Sequence, residues 1–421
     1  MHDKTVLDNG LRIVSSTMPH TRSVCICVFM GAGSRYETAD QGGVSHFLEH
    51  LCFKGTERRP TSMDISETID GVGGVLNAVT DKELTVYWVK VARSHFRLAL
   101  DLLADMLRYS KLDPAEVENE RKVIIEELNM CMDSPQSRVD VLIDEVLWPD
   151  QPLGRYVVGN KDTVATIDRR TVLDYLNRHY IPTNAVVSVA GDIGHDEVVQ
   201  AVADALGDWP GGEPGSWVAA ENSQDGPRLA IVPRKIEQTH VCLAVYGLHH
   251  LHPHRFALDL LNVVLGEGMS SRLFLELRER RGLAYEIYSH ASYFRDSGSV
   301  GVYAGVHPTN VRAAVGAILE ELARLRDEAI PEREIVKAKE LSKGHLLLRL
   351  EDTRSVAGWT GGQELLTERI RDVDEIVSLV DAVTADDLQE VARQLLQTSK
   401  LNLALVGPVR KSDRLERLLK L

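Results

Sequence analysis

An internal duplication constrains the fold of this chain more than any other feature. Residues 22–31 (RSVCICVFMG) and 238–247 (QTHVCLAVYG) are both β-rich apolar runs ending in glycine, and each opens one half of the sequence. In both halves a second strand-like run then leads into a long helical stretch. The first half has LTVYWVKV and then SHFRLALDLLADMLRYSKLDPAEVENERKVIIEELNM; the second has SVGVYAGV and then HPTNVRAAVGAILEELARLRDEAIPEREIVKAKELSKGHLLLRL. Apolar residues recur at helical spacing in both stretches, and a proline, Pro114 or Pro331, opens the second helix of each. The order predicts an α+β fold of two homologous domains, each an antiparallel β-sheet packed against α-helices. Residues 1–210 form the expected N-terminal domain and 227–421 the C-terminal one, joined by the Gly-, Pro- and polar-rich residues 211–226 as a linker.

A chain of 421 residues with 44% apolar side chains can bury cores of this kind. No run approaches the 18 or so apolar residues that would cross a bilayer, and the start, MHDKTVLDNGLRIV, has neither a secretory nor a transit character. Five cysteines, an odd number with Cys25 and Cys27 in one apolar run, point to reduced thiols. A bacterial-type cytoplasm is expected, or the mitochondrial matrix for a eukaryotic source. The net charge of -14 speaks against a nucleic-acid partner. It serves solubility, or draws basic peptides towards an acidic chamber.

Chemistry enters with HFLEH, His46 to His50. Offsets of three and four residues put His46, Glu49 and His50 on one helix face, so that two imidazoles and a carboxylate converge on one point. With 15 histidines in the chain, composition alone would give H-x-x-E-H roughly 0.05 times. The motif therefore needs a third ligand. Asp113 is a natural N-cap for a helix with Pro114 at its first position and Glu116 at its third. On that helix Glu120 and Glu127, seven residues apart, share a face, whereas Glu126 lies about 100° away. Glu127 is thus the expected third metal ligand and Glu120 a carboxylate that orients a histidine or handles a proton. Val123, Ile124 and Leu128 are expected to mark the helix's buried side. The second half has Lys337 and Gly344 where Glu120 and Glu127 stand, and no H-x-x-E-H. One copy holds metal; the other serves as wall, substrate platform or interface.

HFLEHLCFKGT, LNAVTDKELTVYW, ENERKVIIEEL and SSRLFLELRERRGLAYEIYS together resemble the pitrilysin and mitochondrial processing peptidase family of inverzincins, over residues 4 to about 410 and in the right order. The likeness is to the short-chain branch, which includes the processing peptidase β subunit and bacterial relatives. It implies that His46, His50 and Glu127 hold one zinc ion per chain and that Glu49 is the general base towards a zinc-activated water. It further implies that Glu120 is the family's second glutamate, that Asn77 and Ala78 pair with substrate backbone, and that Arg278 and Tyr285 close over the scissile bond. The short Gly266-Glu267-Gly268 lacks the long glycine-rich loop of the non-catalytic α subunit, which favours a catalytic chain.

The expected activity is a zinc-dependent endopeptidase acting on peptides or unfolded, presequence-like segments. GGVLNAVT and LTVYWVKV read as a hairpin whose edge could accept an extended peptide, although an ordinary sheet strand fits the same pattern. Four histidines at 249, 250, 252 and 254 form a second possible metal cluster, but Pro253 breaks their alignment and no acidic residue lies at ligand spacing. The rival reading is a non-catalytic subunit of a peptidase or respiratory complex; a zinc hydrolase of small molecules is a third. The expected assembly is a homodimer, one chain's C-terminal half supplying Arg278 and Tyr285 to the other's zinc, with a heterodimer as the alternative.

Overall fold

The computed structural model describes residues 2–410 and 414–421, which fall into two compact units. The first contains a six-stranded sheet built from β1 (Asp3–Val6), β2 (Arg12–Thr17), β3 (Ser23–Met30), β4 (Val75–Thr80), β5 (Thr85–Ala92) and β6 (Ala185–Gly191), in the order β1-β2-β6-β3-β5-β4. The second contains β7 (Arg228–Pro233), β8 (Thr239–Tyr246), β9 (Ala284–Tyr293), β10 (Gly298–Val306) and β11 (Asn402–Gly407), in the order β7-β11-β8-β10-β9. Without β1 the two orders match element for element, as a duplication requires. Both sheets are antiparallel except at one pair, β2 with β6 and β7 with β11, which run parallel.

Why residues 24–30 and 241–246 of the opening runs do not alternate with polar ones follows from what covers each sheet. In β3, Val24, Ile26, Val28 and Met30 point to one face, into a core with Phe47, Leu48 and Leu51 of the helix Val44–Leu51. Cys25, Cys27 and Phe29 point to the other, against Val356, Ala357 and Leu365 of the helix Thr353–Thr367. In the second unit Val241, Leu243 and Val245 of β8 meet the helices Arg255–Gly266 and Val311–Asp327. Cys242, Ala244 and Tyr246 of the same strand meet Val139, Leu142 and Ile143 of the helix Pro135–Leu147. The central strands β3 and β8 are therefore buried on both faces.

The second cover comes from the opposite half of the sequence, and this corrects the contiguous division expected at residues 211–226. Met130–Gly154 belongs to the second unit and Leu347–Asp372 to the first. The cause is local. The helix Pro114–Asp133 has 20 residues, which carries the chain about 30 Å. Pro135 then starts a new helix capped by the Ser134 side chain rather than extending the old one. The close seat of Thr353–Thr367 depends on glycine, because a Cβ at Gly361 would lie 2.3 Å from the Phe29 ring.

The linker residues form neither helix nor strand, as expected, yet they are pinned. In the first unit Arg35 stacks on Trp217 at 4.1 Å and donates to the Val218 carbonyl at 3.0 and 3.2 Å. In the second, the Ala220 amide donates to Asp296 at 2.8 Å, and Asn222 accepts from Trp148 and Ser297. All five cysteines are free thiols. Among the described residues no helix is long and apolar enough to cross a membrane.

Candidate metal centre

HFLEH lies on the helix Val44–Leu51, as its spacing predicts. This helix begins at Gly43, whose φ of 95° is left-handed and whose Cβ, if present, would lie 2.5 Å from the Val158 carbonyl oxygen. Its first turn has no side-chain cap of its own. The fully buried carboxylate of Glu37 takes that role, accepting from the Gly43 amide at 2.8 Å, the Ser45 amide at 2.9 Å and the Ser45 hydroxyl at 2.5 Å. Burial pushes the Glu37 carboxyl up to about 7, and the Ser45 and Gly43 donors restrain a larger rise.

Among the described residues, one group of three brings metal-binding atoms together: His46, His50 and Glu127, with the ligand atoms within 4.8 Å of one another. The Nε2 atoms of His46 and His50 lie 3.6 and 3.5 Å from the two Glu127 carboxylate oxygens. Two ligands about 2.0–2.1 Å from one tetrahedral zinc ion are themselves about 3.3 Å apart. The donor set and its spacing fit zinc, and three protein ligands leave the open position of a catalytic rather than a structural site. The cysteine nearest in sequence, Cys52, takes no part; it is buried and receives a hydrogen bond from the Tyr87 hydroxyl at 3.5 Å.

The helix Pro114–Asp133 supplies Glu127 and Glu120. Asp113 caps it, its carboxylate accepting from the Ala115 amide at 2.8 Å, while Glu116 accepts from Asn119 instead of reaching back. Glu120 is 3% exposed and takes two charge-assisted contacts, His50 Nδ1 at 2.9 Å and Lys54 Nζ at 2.6 Å. His50 is thus oriented by a carboxylate, whereas His46 Nδ1 has no partner among the described residues and is held by packing. Glu126 is exposed and pairs with Asn129, as its phase requires. Ile124 and Leu128 are buried, but Val123 is 49% exposed, which corrects its expected burial. It stands three residues after the buried Glu120 and four before the part-exposed Glu127.

Protonation without metal follows these contacts. Burial and the charge of His50 take His46 down to about 4. Burial also opposes charge on His50, but the hydrogen bonds with Glu120 and Glu127 outweigh it and raise His50 to about 9. The bond from His50 lowers Glu127. On Glu120 the bonds from His50 and Lys54 overcome burial and lower it too. A metal must displace the His50 proton, since the ligating imidazole is neutral.

Glu49 stands between its two histidines on the same helix. Its Oε2 accepts a 2.5 Å hydrogen bond from Thr80 Oγ1, and burial raises its carboxyl while Thr80 lowers it. Thr80 ends β4, the edge strand of the sheet, which pairs with β5 as the expected hairpin. Asn77 is exposed on that strand and accepts from the Ala78 amide at 2.8 Å; Ala78 is buried. Among the described residues no strand pairs with the outer side of β4.

In the second unit Phe274–Arg280 winds as a π-helix, a rare wide turn. It brings the Arg278 guanidinium 4.9 Å from the rings of both Phe274 and Tyr285, with Tyr285 76% exposed. Arg278 and Tyr285 are therefore neighbours. The rings of His249, His252 and His254 are 5.4 and 5.7 Å apart in sequence order, but they do not converge as metal ligands. His254 instead lies 4.0 Å from Asp387 and from Glu390. Sequence reasoning missed Glu37, Lys54 and Thr80. Lys54, four residues after His50, was the one with a helical signal.

The paired sheets with one H-x-x-E-H helix and one glutamate helix define a metallopeptidase fold, and the chain belongs to the insulinase family, peptidase family M16. That family's model matches residues 12–161, and the model described as the peptidase M16 inactive domain matches residues 166–342. The chain is 38% identical to an "uncharacterized zinc protease" of Streptomyces coelicolor, over 97% of this chain and 90% of that one. It is also 38% identical to the "uncharacterized zinc protease YmxG" of Bacillus subtilis, over 95% and 97%. A protease from Helicobacter pylori superposes with a TM-score of 0.92 at 25% identity, covering 97% of this chain and 99% of the other. A chain of complex III2 from Candida albicans shares the fold, with a TM-score of 0.86 at 18% identity over 100% of both chains.

Proposed function

We propose that this chain is a zinc-dependent endopeptidase acting on peptides or unfolded segments. The observation that carries the reading is the seating of Glu49, between two convergent histidines and on a hydrogen bond to Thr80, beside the Glu127 carboxylate. His46, His50 and Glu127 would hold a zinc ion, which would supply Lewis acidity and make a water acidic enough to be deprotonated. Glu49 takes the proton of the attacking water and returns it to the departing amine. Glu120 fixes the tautomer and direction of His50. A substrate strand adds to the free edge of β4 beside Asn77 and Ala78, gaining backbone hydrogen bonds whatever its side chains. Tyr285 donates to the oxyanion of the scissile carbonyl and Arg278 holds Tyr285 or substrate. Five free thiols and bacterial relatives support a reducing cytoplasm.

Zinc content per chain, cleavage of a quenched peptide library and the same assay on Glu49→Gln test this together. The variant keeps one zinc and loses roughly 10²–10⁴-fold in kcat. A variant that cleaves as fast as the parent would remove Glu49 from the mechanism, and a parent without zinc would remove the peptidase reading.

The shared fold with a complex III2 chain favours a second reading, a non-catalytic subunit. Retention of every ligand and of Glu49 weighs against it. Arg278 and Tyr285 are assigned to the site of a partner copy in a homodimer. Light scattering on the active protein checks this, and a fully active monomer would overturn it.

A further inference from the structure

Four strands end the two sheets, β1 and β4 in the first and β7 and β9 in the second. An open edge invites another strand, and proteins commonly guard it with charge, proline, a bulge or brevity. β1 has four residues, among them Asp3 and Lys4; β7 carries Arg228 and closes on Pro233; β9 carries Glu286 and bulges at Tyr285, against Gly305 and Val306. β4, with the sequence VLNAVT, has no charge, no proline and an unbroken register with β5. It is the unguarded edge.

The residues of β4 alternate between two faces. Leu76, Ala78 and Thr80 face the helix that carries HFLEH, whereas Val75, Asn77 and Val79 point the other way and stand exposed, the valines at 53% and 48%. On that second face β5 places Lys90, Trp88 and Val86 directly opposite them. Lys90 is already paired with Asp352. Arg354, on the helix Thr353–Thr367, lays its guanidinium 4.1 Å from the centre of the Trp88 ring; it is exposed and has no ion pair among the described residues. Stacking occupies the flat face of a guanidinium and leaves its N–H edge free to donate. Asn77 also has a spare donor, because its Oδ1 accepts from the Ala78 amide and its Nδ2 has no partner among the described residues. One row across the sheet therefore runs from Arg354 over Trp88 to Asn77 with unused donors at both ends, and the rows on either side of it end in bare valines.

We infer that this face selects extended peptides with the pattern apolar-x-acidic-x-apolar. The inference rests on the addition of a substrate strand to β4 proposed above. Such a strand lies about 4.8 Å from β4, and its side chains alternate in step with those of β4. Aliphatic residues opposite Val75 and Val79 cover the two valines. A glutamate between them, opposite Asn77, accepts from Asn77 Nδ2 and turns its charge towards Arg354. Backbone hydrogen bonds supply the affinity and this face supplies the preference.

Fluorescence anisotropy of the full Glu49→Gln chain, which keeps the edge and stops cleavage, tests this with labelled peptides of one serine-rich background. The peptide with Val-x-Glu-x-Val binds about threefold tighter than Val-x-Lys-x-Val, the worth of an exposed ion pair. It binds about fivefold tighter than Ser-x-Glu-x-Ser, the worth of two cross-strand apolar pairs. Arg354→Glu reverses the choice between glutamate and lysine. Val75→Thr with Val79→Thr removes the gain from the peptide's valines, and melting temperatures change little because these side chains are half-exposed or exposed. Equal binding of the glutamate and lysine peptides, an unchanged preference in Arg354→Glu, or no saturable binding would overturn the inference. A parent that cleaves all three peptides alike also overturns it and leaves the peptidase standing. Selective binding by the variant, with a parent that cleaves none of them, upholds the edge and removes the peptidase.

Discussion

The two units share a sheet order and differ at the few positions where helices face one another. The first has an eight-residue helix carrying HFLEH after β3; the second has Arg255–Gly266 after β8, with nine of its twelve residues buried. The first has Glu120 under His50 and Glu127 beside both histidines. At the matching distances from its proline, the second has Lys337, which reaches the Ser270 carbonyl, and Gly344, around which a Cβ would meet nothing within 4 Å. The difference teaches that topology here asks only for an apolar pattern, which both copies keep, whereas metal chemistry asks for particular donors on two facing helices. Once one copy supplied those donors, the other was free to lose them.

Importing the second unit's residues into the first breaks the contrast most severely. The double variant Glu120→Lys, Glu127→Gly removes one ligand and the carboxylate that orients another, and zinc content measured by atomic emission should fall to background. Circular dichroism checks that the protein stays folded, since Glu120 is 3% exposed and a lysine in its place would face Lys54.

The buried cap of the HFLEH helix gives the next largest effect. Burial raises Glu37 to about 7 from the 4.5 of a free glutamate, so the unfolded chain releases this proton first. Its contribution to stability is fully present below pH 4.5 and is lost as pH rises through 7. The loss amounts to about 3 kcal/mol. Urea unfolding of the parent and of Glu37→Gln at pH values on either side of this window should show a steeper decline with rising pH in the parent. Parallel pH dependences would mean that Glu37 is not held in the protonated form.

The smallest effect sharpens the site itself. Thr80→Val removes the hydrogen bond to Glu49, and kcat should fall about tenfold with zinc content and KM little changed. Thr80→Ser keeps the hydroxyl and restores the rate. A valine variant as fast as the parent would leave Thr80 with no part in holding Glu49.

Much of the metal centre was legible because helical geometry is local. The offsets within HFLEH and the phase from Asp113-Pro114 separate Glu127 from Glu126 without any knowledge of the fold, and the structure has Glu126 exposed on Asn129 and Glu127 on the histidines. Val123 failed the same reasoning because periodicity tells which residues share a stripe and not which stripe is covered. The apolar run of β3 from Val24 to Met30 implies cover on both faces, but not which helix supplies it.

What the sequence by itself determined is whatever follows from the period of a helix or a strand: two copies of one α+β unit, the convergence of His46, Glu49 and His50, and the choice of Glu127. Tertiary structure alone decided that Thr353–Thr367 closes the first sheet and Pro135–Leu147 the second, and that Glu37, Thr80 and Lys54 steady the site. The physical reason is that backbone periodicity is written into neighbouring residues. A hydrogen bond such as Thr80 to Glu49 or a packed face such as Gly361 on Phe29 joins residues with no fixed spacing, and exists only once the chain has folded.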